Sequence, residues 1–388
     1  MRGSPLTNHA VHLQKPMTAY QPAAVGMSLS DVDTPSLILD LDAFERNLDL
    51  LDGSLAGKKV RVRPHAKSHK CPTIALAQMA RGAVGVCCQK VSEAEAMVDG
   101  GVPDVLIANE VVGAMKLKRL AALAGRARIT VCADDASNVA ALDAAARAAG
   151  IRLDVLVEVN VGANRCGVEP GEPAVVLAKR IAFSGNLRFA GLQAYQGAAQ
   201  HLRKVGERRA AIEQAVARVK TSTVAIEQAG IVCERVTGAG TGTYVFEAVS
   251  GVYDEIQPGS YIFMDVDYGR NEWTESGIPR FEHSLFVWTT VMSRTSPERA
   301  VVDAGLKASS VDSGMPKVAD TPGAEYQKAS DEHGVLALQP GVQIAVGDKL
   351  KLIPGHCDPT VNLYDQYICV RKGRVEDLWP ITARGAVW

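Results

Sequence analysis

One short run is unusually dense in basic side chains and reads RPHAKSHK at residues 63–70. Lys67, inside this run, could form a Schiff base with a carbonyl compound if desolvation or nearby positive charge lowers its pKa. Arg63, Lys70 and Arg165 are the residues that could supply that charge. The alternative is a solvated surface lysine in a basic loop, and the run alone does not exclude it.

A second run, PGHCDPT at residues 354–360, could bind a metal ion. Residues two apart on an extended segment point to the same side, so His356 and Asp358 could meet one divalent ion while Cys357 faces away. An imidazole and a carboxylate together suit Mn²⁺, Mg²⁺ or Zn²⁺. A hydrogen-bonded His–Asp turn without a metal is the alternative.

A third run, TGAGTGT at residues 237–243, combines three glycines with small hydroxyl residues. The backbone N–H groups of such a loop can surround an anion, although a flexible glycine-rich turn has the same composition. The run lacks the lysine of a nucleoside-triphosphate loop, so the expected anion is not a triphosphate.

The elements that must position these side chains are short apolar runs that alternate with helical stretches from about residue 60. A capping box at 92–95 opens one helix, an alanine-rich segment at 138–149 forms another, and residues 204–230 could form a long one. Strands are predicted at 60–64, 84–88, 104–108, 128–132, 153–159, 187–194, 233–237 and 255–263. Eight such units predict a parallel (β/α)8 barrel of the TIM type, with its active site at the C-terminal ends of the strands.

The pattern changes after about residue 275, where helical periodicity is nearly absent. Turns interrupt strand-like runs at 281–292, 300–304, 349–353, 366–371 and 374–379. This predicts a β-rich C-terminal domain, into which a strand at 34–41 could pair. The expected division is an N-terminal tail at 1–30, a barrel at 31–272 and the β-rich domain at 273–388. The first residues look like an added leader, with Met17 as a second start.

The composition narrows the classes of partner. The chain has 388 residues and a net charge of −1, which gives no electrostatic reason to bind nucleic acid or an anionic membrane. No apolar run approaches the ~20 residues that span a bilayer. Eight cysteines without paired spacing favour free thiols in a reducing compartment, and therefore a cytoplasmic location. A small molecule is the expected substrate.

Together these pieces resemble the fold-type III pyridoxal phosphate enzymes, the group typified by alanine racemase. Within that group the chain is similar to the D-threonine aldolase and D-serine dehydratase-like family. The resemblance runs from residue 33 to residue 385 and implies pyridoxal 5′-phosphate as the cofactor. Its most specific pieces are RPHAK at 63–67, CCQKVSEA at 87–94, AGLK at 304–307 and HCDPT at 356–360.

The resemblance also implies roles for single residues. Lys67 corresponds to the lysine that forms the Schiff base, Arg165 to an arginine that bonds the cofactor's phenolate oxygen, and His201 to the general base. His356 and Asp358 correspond to the metal pair. The remaining cofactor-binding positions are Gln89 and Tyr195 in the pocket wall, and Gly240, Thr241, Gly242, Gly259, Ser260 and Tyr261 around the phosphate. Dehydratases of this family have a cysteine where Asp358 stands, so the aspartate favours an aldolase with Mn²⁺ or Mg²⁺, and Zn²⁺ less.

The implied reaction is the retro-aldol cleavage of a D-β-hydroxy-α-amino acid of the D-threonine type. His201 would take the proton of the β-hydroxyl group while the metal polarises it, and scission of the Cα–Cβ bond would give glycine and an aldehyde. Related enzymes also imply a homodimer whose active site lies between subunits. His356 and Asp358 are therefore expected to reach the site from the partner subunit.

Alternatives remain open at this point. A 3-hydroxy-D-aspartate aldolase would release glyoxylate and would need a cation for the second carboxylate, for which Arg203, Lys204 and Arg270 are available. Gln196 stands where some D-threonine aldolases are expected to have histidine, which keeps that alternative open. A dehydratase of D-serine or a related 3-hydroxy amino acid differs mainly in whether the hydroxyl group leaves. A non-catalytic pyridoxal phosphate-binding protein resembles the barrel alone, so residues 273–388 argue against it.

Overall fold

The first strand in the described part of the chain does not belong to the barrel. The computed structural model describes residues 21–388, and in it β1 (Ser36–Asp40) is followed directly by α1 (Leu41–Leu55). The Asp40 carboxylate accepts a hydrogen bond from the Ala43 N–H at 3.0 Å, which caps the helix and fixes where the strand ends.

Eight parallel strands then form the predicted barrel. Neighbouring strands pair in parallel around the sheet. The Val84 N–H donates to the Val62 carbonyl at 2.9 Å and the Cys87 N–H to the Pro64 carbonyl at 2.8 Å. These bonds join the first barrel strand to the second. The strands are β2 (Arg61–Val62), β3 (Val86–Cys88), β4 (Asp104–Glu110), β5 (Arg128–Ala133), β6 (Leu153–Glu158), β7 (Leu187–Ala194), β8 (Val236–Gly238) and β9 (Glu255–Ile256). The fold class predicted from the sequence is confirmed.

Helices connect the barrel strands, and one more short helix follows the last of them. They are α2 (Pro72–Ala80), α3 (Val91–Asp99), α4 (Ala114–Ala124), α5 (Ala136–Ala149), α6 (Glu172–Ala182), α7 (Val205–Gln228), α8 (Tyr244–Ala248) and α9 (Val266–Gly269). The capping box predicted at 92–95 is wrong, because α3 already begins at Val91 and Ser92 lies in its first turn. The Ser92 hydroxyl instead donates to the Trp388 carbonyl at 2.6 Å, so this side chain secures the end of the chain.

The C-terminal part forms a second, mostly antiparallel sheet. Its elements are β10 (Leu285–Ser296), β11 (Arg299–Val302), β12 (Lys317–Val318), β13 (Ala324–Ala329), β14 (Gly334–Leu338), β15 (Lys349–Ile353), the short helix α10 (Cys357–Val361), β16 (Gln366–Arg371) and β17 (Arg374–Pro380). The predicted pairing of the first strand is confirmed, since β1 lies antiparallel to β10 and parallel to β16. Strands β12 to β14 were not predicted. In β13 only Tyr326 is buried, so the apolar pattern that would announce a strand is missing.

Part of the segment expected to be an N-terminal tail lies against this second sheet. Ala23 and Val32 are buried in a cluster with Trp288, and the Leu29 N–H donates to the Gly373 carbonyl at 2.9 Å. Residues 21–30 are therefore anchored to the sheet at Ala23 and Leu29, although several of them are exposed. Residues 1–20, with the predicted leader and Met17, lie outside the described residues.

Backbone hydrogen bonds hold residues 354–360, the run predicted to bind a metal, over the mouth of the barrel. The Val266 N–H donates to the Pro354 carbonyl at 3.0 Å and the Asp267 N–H to the Gly355 carbonyl at 3.2 Å. The second sheet thereby places α10 beside the loop that follows β2. Among residues 21–388, none of the helices has the length and apolar character needed to cross a membrane.

Candidate active site

A cavity of ≈ 120 Å³ opens at the C-terminal ends of the barrel strands. This is the end at which barrel enzymes carry their active sites. Most of the site residues predicted from the sequence line this cavity. The wall is formed by His65, Lys67, Gln89, Ala108, Arg165, Gln193, Tyr195, Ala239, Gly240, Thr241, Gln257, Gly259, Ser260 and Tyr268.

Lys67 enters this cavity from a single 3-10 turn, Ala66–Ser68, directly after β2. Its ammonium group makes a close ion pair with the Asp358 carboxylate. Burial would lower the pKa of Lys67, but the charge of Asp358, with a contribution from Tyr195, outweighs burial and raises it. The lysine is therefore positively charged as it stands.

The sequence-based expectation of a lowered lysine pKa is wrong, and two of the three cations expected to lower it are paired with other carboxylates. The Arg63 guanidinium lies below the cavity, paired with Glu255 at 2.9 Å and Asp104 at 2.7 Å. The Lys70 ammonium pairs with the buried Glu93 carboxylate at 2.9 Å. Both positive charges are neutralised locally, so neither repels a proton from the active-site lysine.

The expectation that the metal pair comes from a partner subunit is also wrong. Asp358 contacts Lys67 of its own chain, so a single subunit brings the two together. The predicted extended geometry is wrong as well, because α10 begins at Cys357, so that His356 has extended backbone angles while Asp358 lies in the helix. Cys357 is fully buried, with its thiol 3.3 Å from Asp358 Oδ1.

His356 is held in one orientation by a carboxylate. Its Nδ1 lies 2.9 Å from Asp312 Oδ2, and its side chain is 26% exposed. An imidazole that binds a metal through Nε2 commonly donates its Nδ1–H to a carboxylate in this way. His356 and Asp358 therefore fit a divalent ion by their donor types and by the partner that orients the imidazole.

The loops after β8 and β9 contribute four of the six residues assigned to the phosphate. Gly240, Thr241, Gly259 and Ser260 all line the cavity. Gly242 does not, and its N–H donates to Gln200 Oε1 at 2.9 Å. Tyr261 is fully buried outside the cavity, where its hydroxyl accepts a hydrogen bond from Gln78 at 3.1 Å. The structure thus narrows the candidate phosphate cradle to four residues.

Three further predicted residues, Gln89, Arg165 and Tyr195, also line the cavity. The Arg165 guanidinium carbon lies 5.6 Å from the centre of the Tyr195 ring, within the range of a cation–π contact. Gln89 Nε2 is 2.9 Å from His65 Nε2. Burial, together with the charge of Lys67, lowers the pKa of His65 well below its ordinary value, so this imidazole is neutral.

His201 does not line the cavity. Its side chain is 54% exposed, and its Nδ1 lies 2.6 Å from Asp267 Oδ2. The Tyr268 ring, which does line the cavity, has its centre 6.1 Å from that of the imidazole. The predicted general base therefore lies behind Tyr268, at the edge of the site.

Several lining residues were missed by sequence reasoning. They are His65, Ala108, Gln193, Ala239, Gln257 and Tyr268. One signal was present in the sequence, because Gln193 and Gln257 are polar residues in or directly after apolar strand runs. A polar side chain at such a position faces either the barrel interior or the active site.

A separate group of possible metal ligands lies at the ends of β4, β5 and β6. Ligand atoms of Glu110, Asp134 and Cys166 are within 4.8 Å of one another, the one such group of three found among residues 21–388. Burial and the charge of Glu110 raise the pKa of the neighbouring Glu158, and the same causes raise that of the Cys166 thiol to about 11. This group is distinct from the predicted pair His356 and Asp358.

A lysine after the first strand of a parallel barrel, with small-residue loops after the last two, defines a barrel of the alanine racemase type. Residues 39–267 match the family model of the alanine racemase N-terminal domain, and residues 284–370 match that of a putative serine dehydratase domain. The chain is 50% identical to 3-hydroxy-D-aspartate aldolase from Paracoccus denitrificans (strain Pd 1222), covering 94% of this chain and 95% of that one. It is 48% identical to D-threonine aldolase from an Arthrobacter species, covering 94% and 96%.

A solved structure gives the same result. The crystal structure of D-threonine aldolase from Filomicrobium marinum is 54% identical, with a TM-score of 0.93 over 95% of this chain and 100% of that one. The chain belongs to the alanine racemase-like family, in the branch that includes D-threonine aldolase and 3-hydroxy-D-aspartate aldolase. The family resemblance found in the sequence is confirmed.

Proposed function

We propose that this protein is a pyridoxal phosphate- and divalent metal-dependent aldolase of D-β-hydroxy-α-amino acids. It cleaves the Cα–Cβ bond of a substrate of the D-threonine type and releases glycine and an aldehyde. The observation that carries the proposal is the contact between Lys67 and Asp358 in one cavity. It places the lysine proposed to hold the cofactor directly beside a carboxylate that can hold a metal.

The cavity fits pyridoxal phosphate by its donors and acceptors. The backbone N–H groups of Gly240, Thr241, Gly259 and Ser260 have no hydrogen-bond partner among residues 21–388, so they are available to a phosphate group. Arg165 supplies a cation at the other side for a phenolate oxygen. When bound, the cofactor supplies the electron sink for bond cleavage next to the amino group. The residues around it decide which bond is broken.

His356 and Asp358 are proposed to hold the metal. The attraction of Lys67 and of His356 keeps the pKa of Asp358 well below its ordinary value, although burial acts in the opposite direction. Asp358 is therefore a carboxylate that balances positive charge, and with His356 it would hold a divalent ion that polarises the substrate hydroxyl group. An oxygen and a nitrogen ligand favour Mn²⁺ or Mg²⁺ over a thiolate-preferring ion.

His201 is proposed to accept the proton of the substrate's β-hydroxyl group. Asp267 bonds its Nδ1, which leaves Nε2 as the atom that accepts a proton. The same aspartate receives Arg203, so it is fixed from two sides. Because His201 is exposed at the edge of the site, the proton that it accepts can pass on to solvent.

A 3-hydroxy-D-aspartate substrate is the second candidate, and one observation favours it. Arg203 is already bonded to Asp267 and Asn271, and Lys204 is a highly exposed residue. Arg270 bonds the Ser313 carbonyl at 3.0 Å, next to the loop residue that orients His356, and also lies 3.9 Å from Asp267 Oδ1. Among the three predicted cations, Arg270 is the one near the metal motif that could meet a second substrate carboxylate.

The remaining proposals concern the setting of the enzyme. We infer a homodimer, with the metal pair supplied by the same chain as Lys67. We also infer a cytoplasmic location, because all eight cysteines are free thiols, as expected in a reducing compartment.

The direct test is an assay of the purified protein with pyridoxal phosphate, Mn²⁺ and D-threonine, in which glycine and aldehyde are measured. Glycine release that EDTA abolishes, with L-threonine inert, is the expected result, and D-3-hydroxyaspartate is compared next. Release of ammonia and a keto acid would replace the aldolase by a dehydratase. A protein that acquires no visible absorption with pyridoxal phosphate would overturn the proposal from Lys67 onward.

A further inference from the structure

The barrel interior beneath the cavity contains a buried chain of polar side chains. Arg63, Glu255, Thr237, Gln257 and Gln193 are each at most 5% exposed. A buried Arg–Glu pair usually stabilises a fold no more than well-packed apolar residues of similar volume would. Stability alone therefore does not account for this chain of polar groups.

Each contact in the chain permits only one assignment of donor and acceptor. Arg63 Nε donates to Glu255 Oε1 at 2.9 Å. The Thr237 hydroxyl lies 3.0 Å from the same oxygen and must donate to it, because an ionised carboxylate has no proton to give. Burial would raise the pKa of Glu255, but Arg63 and Arg235 outweigh burial and lower it. The carboxylate is therefore ionised, and the direction of the first two bonds is fixed.

The donor and acceptor roles of Glu255 and Thr237 also determine the orientation of two side-chain amides at the cavity wall. Since the Thr237 hydroxyl has used its proton, its oxygen can only accept, and Gln257 Nε2 donates to it at 2.7 Å. Gln257 Nε2 also donates to Gln193 Oε1 at 2.9 Å, and Gln193 Nε2 donates back to Gln257 Oε1 at 3.2 Å. Both amide orientations are thus determined, and the N–H group that remains free belongs to Gln193.

We propose that Arg63, Glu255 and Thr237 are positioning residues that fix the hydrogen-bonding pattern which Gln193 and Gln257 present to the bound cofactor. None of the three lines the cavity, whereas both glutamines do. If the direction were reversed, the Thr237 hydroxyl would donate to Gln257, Gln257 would gain a free N–H, and the free N–H of Gln193 would lie at the other end of its amide. The polar edge of the cofactor would then meet a different pattern. This inference rests on the proposed function, because it assumes that pyridoxal phosphate occupies the cavity.

The test uses three full-length variants and measures cofactor binding in place of turnover. Thr237→Val removes the hydroxyl that links Glu255 to Gln257 at nearly constant volume, and Thr237→Ser keeps it. Thr130→Val is the matched control, since Thr130 is a fully buried threonine of the same barrel whose hydroxyl accepts a hydrogen bond from Arg235 at 2.9 Å. The readouts are the Kd for pyridoxal phosphate, the absorption maximum of the bound cofactor and the Tm of the cofactor-free protein.

Thr237→Val is expected to raise the Kd about tenfold, because an amide N–H loses its buried partner and the amide pair can reorient. Its absorption maximum should shift. Thr237→Ser and Thr130→Val should keep the Kd within about twofold of wild type, although Thr130→Val should lower the Tm about as much as Thr237→Val does. A purely structural role for Thr237 would lower the Tm and leave the Kd and the spectrum unchanged.

Two results would overturn the inference alone: an unchanged Kd and spectrum in Thr237→Val, or an equal change in Thr130→Val. If Thr237→Val fails to fold, Glu255→Gln replaces it. That variant keeps the volume and allows the chain to reverse, so a shifted absorption maximum supports the inference and an unshifted one overturns it. A wild-type protein that binds no pyridoxal phosphate overturns the proposed function and this inference with it, and that result is visible before any variant is compared.

Discussion

Asp312 is expected to control how tightly the proposed metal binds, although it is not itself a proposed ligand. Its Oδ2 lies 2.9 Å from His356 Nδ1, and the Ser310 and Ser313 hydroxyls donate to its two oxygens at 2.8 and 3.0 Å. The aspartate is thus held in place and holds the imidazole in turn. Loss of a carboxylate that orients a metal-binding histidine typically weakens metal affinity by about 10–100-fold.

The structure places Asp312→Ala toward the lower end of that range. The Asp312 side chain is 51% exposed, so water can replace part of the lost hydrogen bond. An increase in the Mn²⁺ dissociation constant of about 10–30-fold follows, equivalent to about 1.4–2 kcal/mol. Asp312→Asn keeps an acceptor for the Nδ1–H group and should lose less than Asp312→Ala does.

The assay is a Mn²⁺ titration of the metal-free protein, with unbound Mn²⁺ measured by electron paramagnetic resonance. Asp320→Ala is the matched control, because Asp320 is an exposed aspartate of the same domain that lies 3.7 Å from Lys351. It should bind Mn²⁺ as wild type does. An Asp312→Ala protein with wild-type affinity, or an equal loss in Asp320→Ala, would refute the assignment of His356 as a ligand oriented by this carboxylate.

Three further outcomes follow from other parts of the structure. Lys67→Ala should abolish the visible absorption of bound pyridoxal phosphate without changing the far-ultraviolet circular dichroism, and retained absorption would assign the Schiff base to another lysine. Leu352→Ala, at a fully buried position of β15, should lower the free energy of unfolding by about 2–5 kcal/mol in urea denaturation, and a loss below ~1 kcal/mol would show that the second sheet repacks. Burial lowers the pKa of His69 from 6.5 to about 3. Between these two pH values the unfolded state binds more protons at His69 than the folded state does. The free energy of unfolding therefore decreases as the pH falls below 6.5, by up to about 1.4 kcal/mol per pH unit. His69→Asn should therefore flatten the pH dependence of urea unfolding between pH 6.5 and pH 5, and an unchanged slope would contradict a neutral buried imidazole.

The same chain supplies both halves of the proposed catalytic apparatus because of the way the second sheet is built. β1 pairs with β10 and β16 and leads through α1 into the barrel. The chain therefore connects the second sheet to the barrel twice, once before the first barrel strand and once after the last. The hydrogen bonds from Val266 and Asp267 to the segment before α10 then fix His356 and Asp358 over the barrel mouth. A partner subunit is not needed to bring the metal pair to Lys67.

Where the sequence predicted an element correctly, a local pattern was strong. The bounds predicted at 187–194, 349–353 and 366–371 agree with β7, β15 and β16, because each segment either alternates polar and apolar residues or has an apolar centre several residues long. β8 and β9 are only three and two residues long; the strand predicted at 233–237 began and ended too early, and the one predicted at 255–263 extended too far. Short strands are defined by hydrogen bonds to neighbours, and these are not visible in local composition.

The sequence by itself determined the barrel, the β-rich second sheet, the family and the position of Lys67, since all of these follow from periodic patterns and short contiguous runs. Tertiary structure decided that Asp358 meets this lysine across 291 residues within one chain, that Arg63 and Lys70 are neutralised elsewhere, and that His201 lies outside the cavity wall. It also brought Gln193 and Gln257 together. The physical reason is that a side chain's partners, and with them its charge and its direction, depend on which distant elements pack against it. Local periodicity contains no record of that packing.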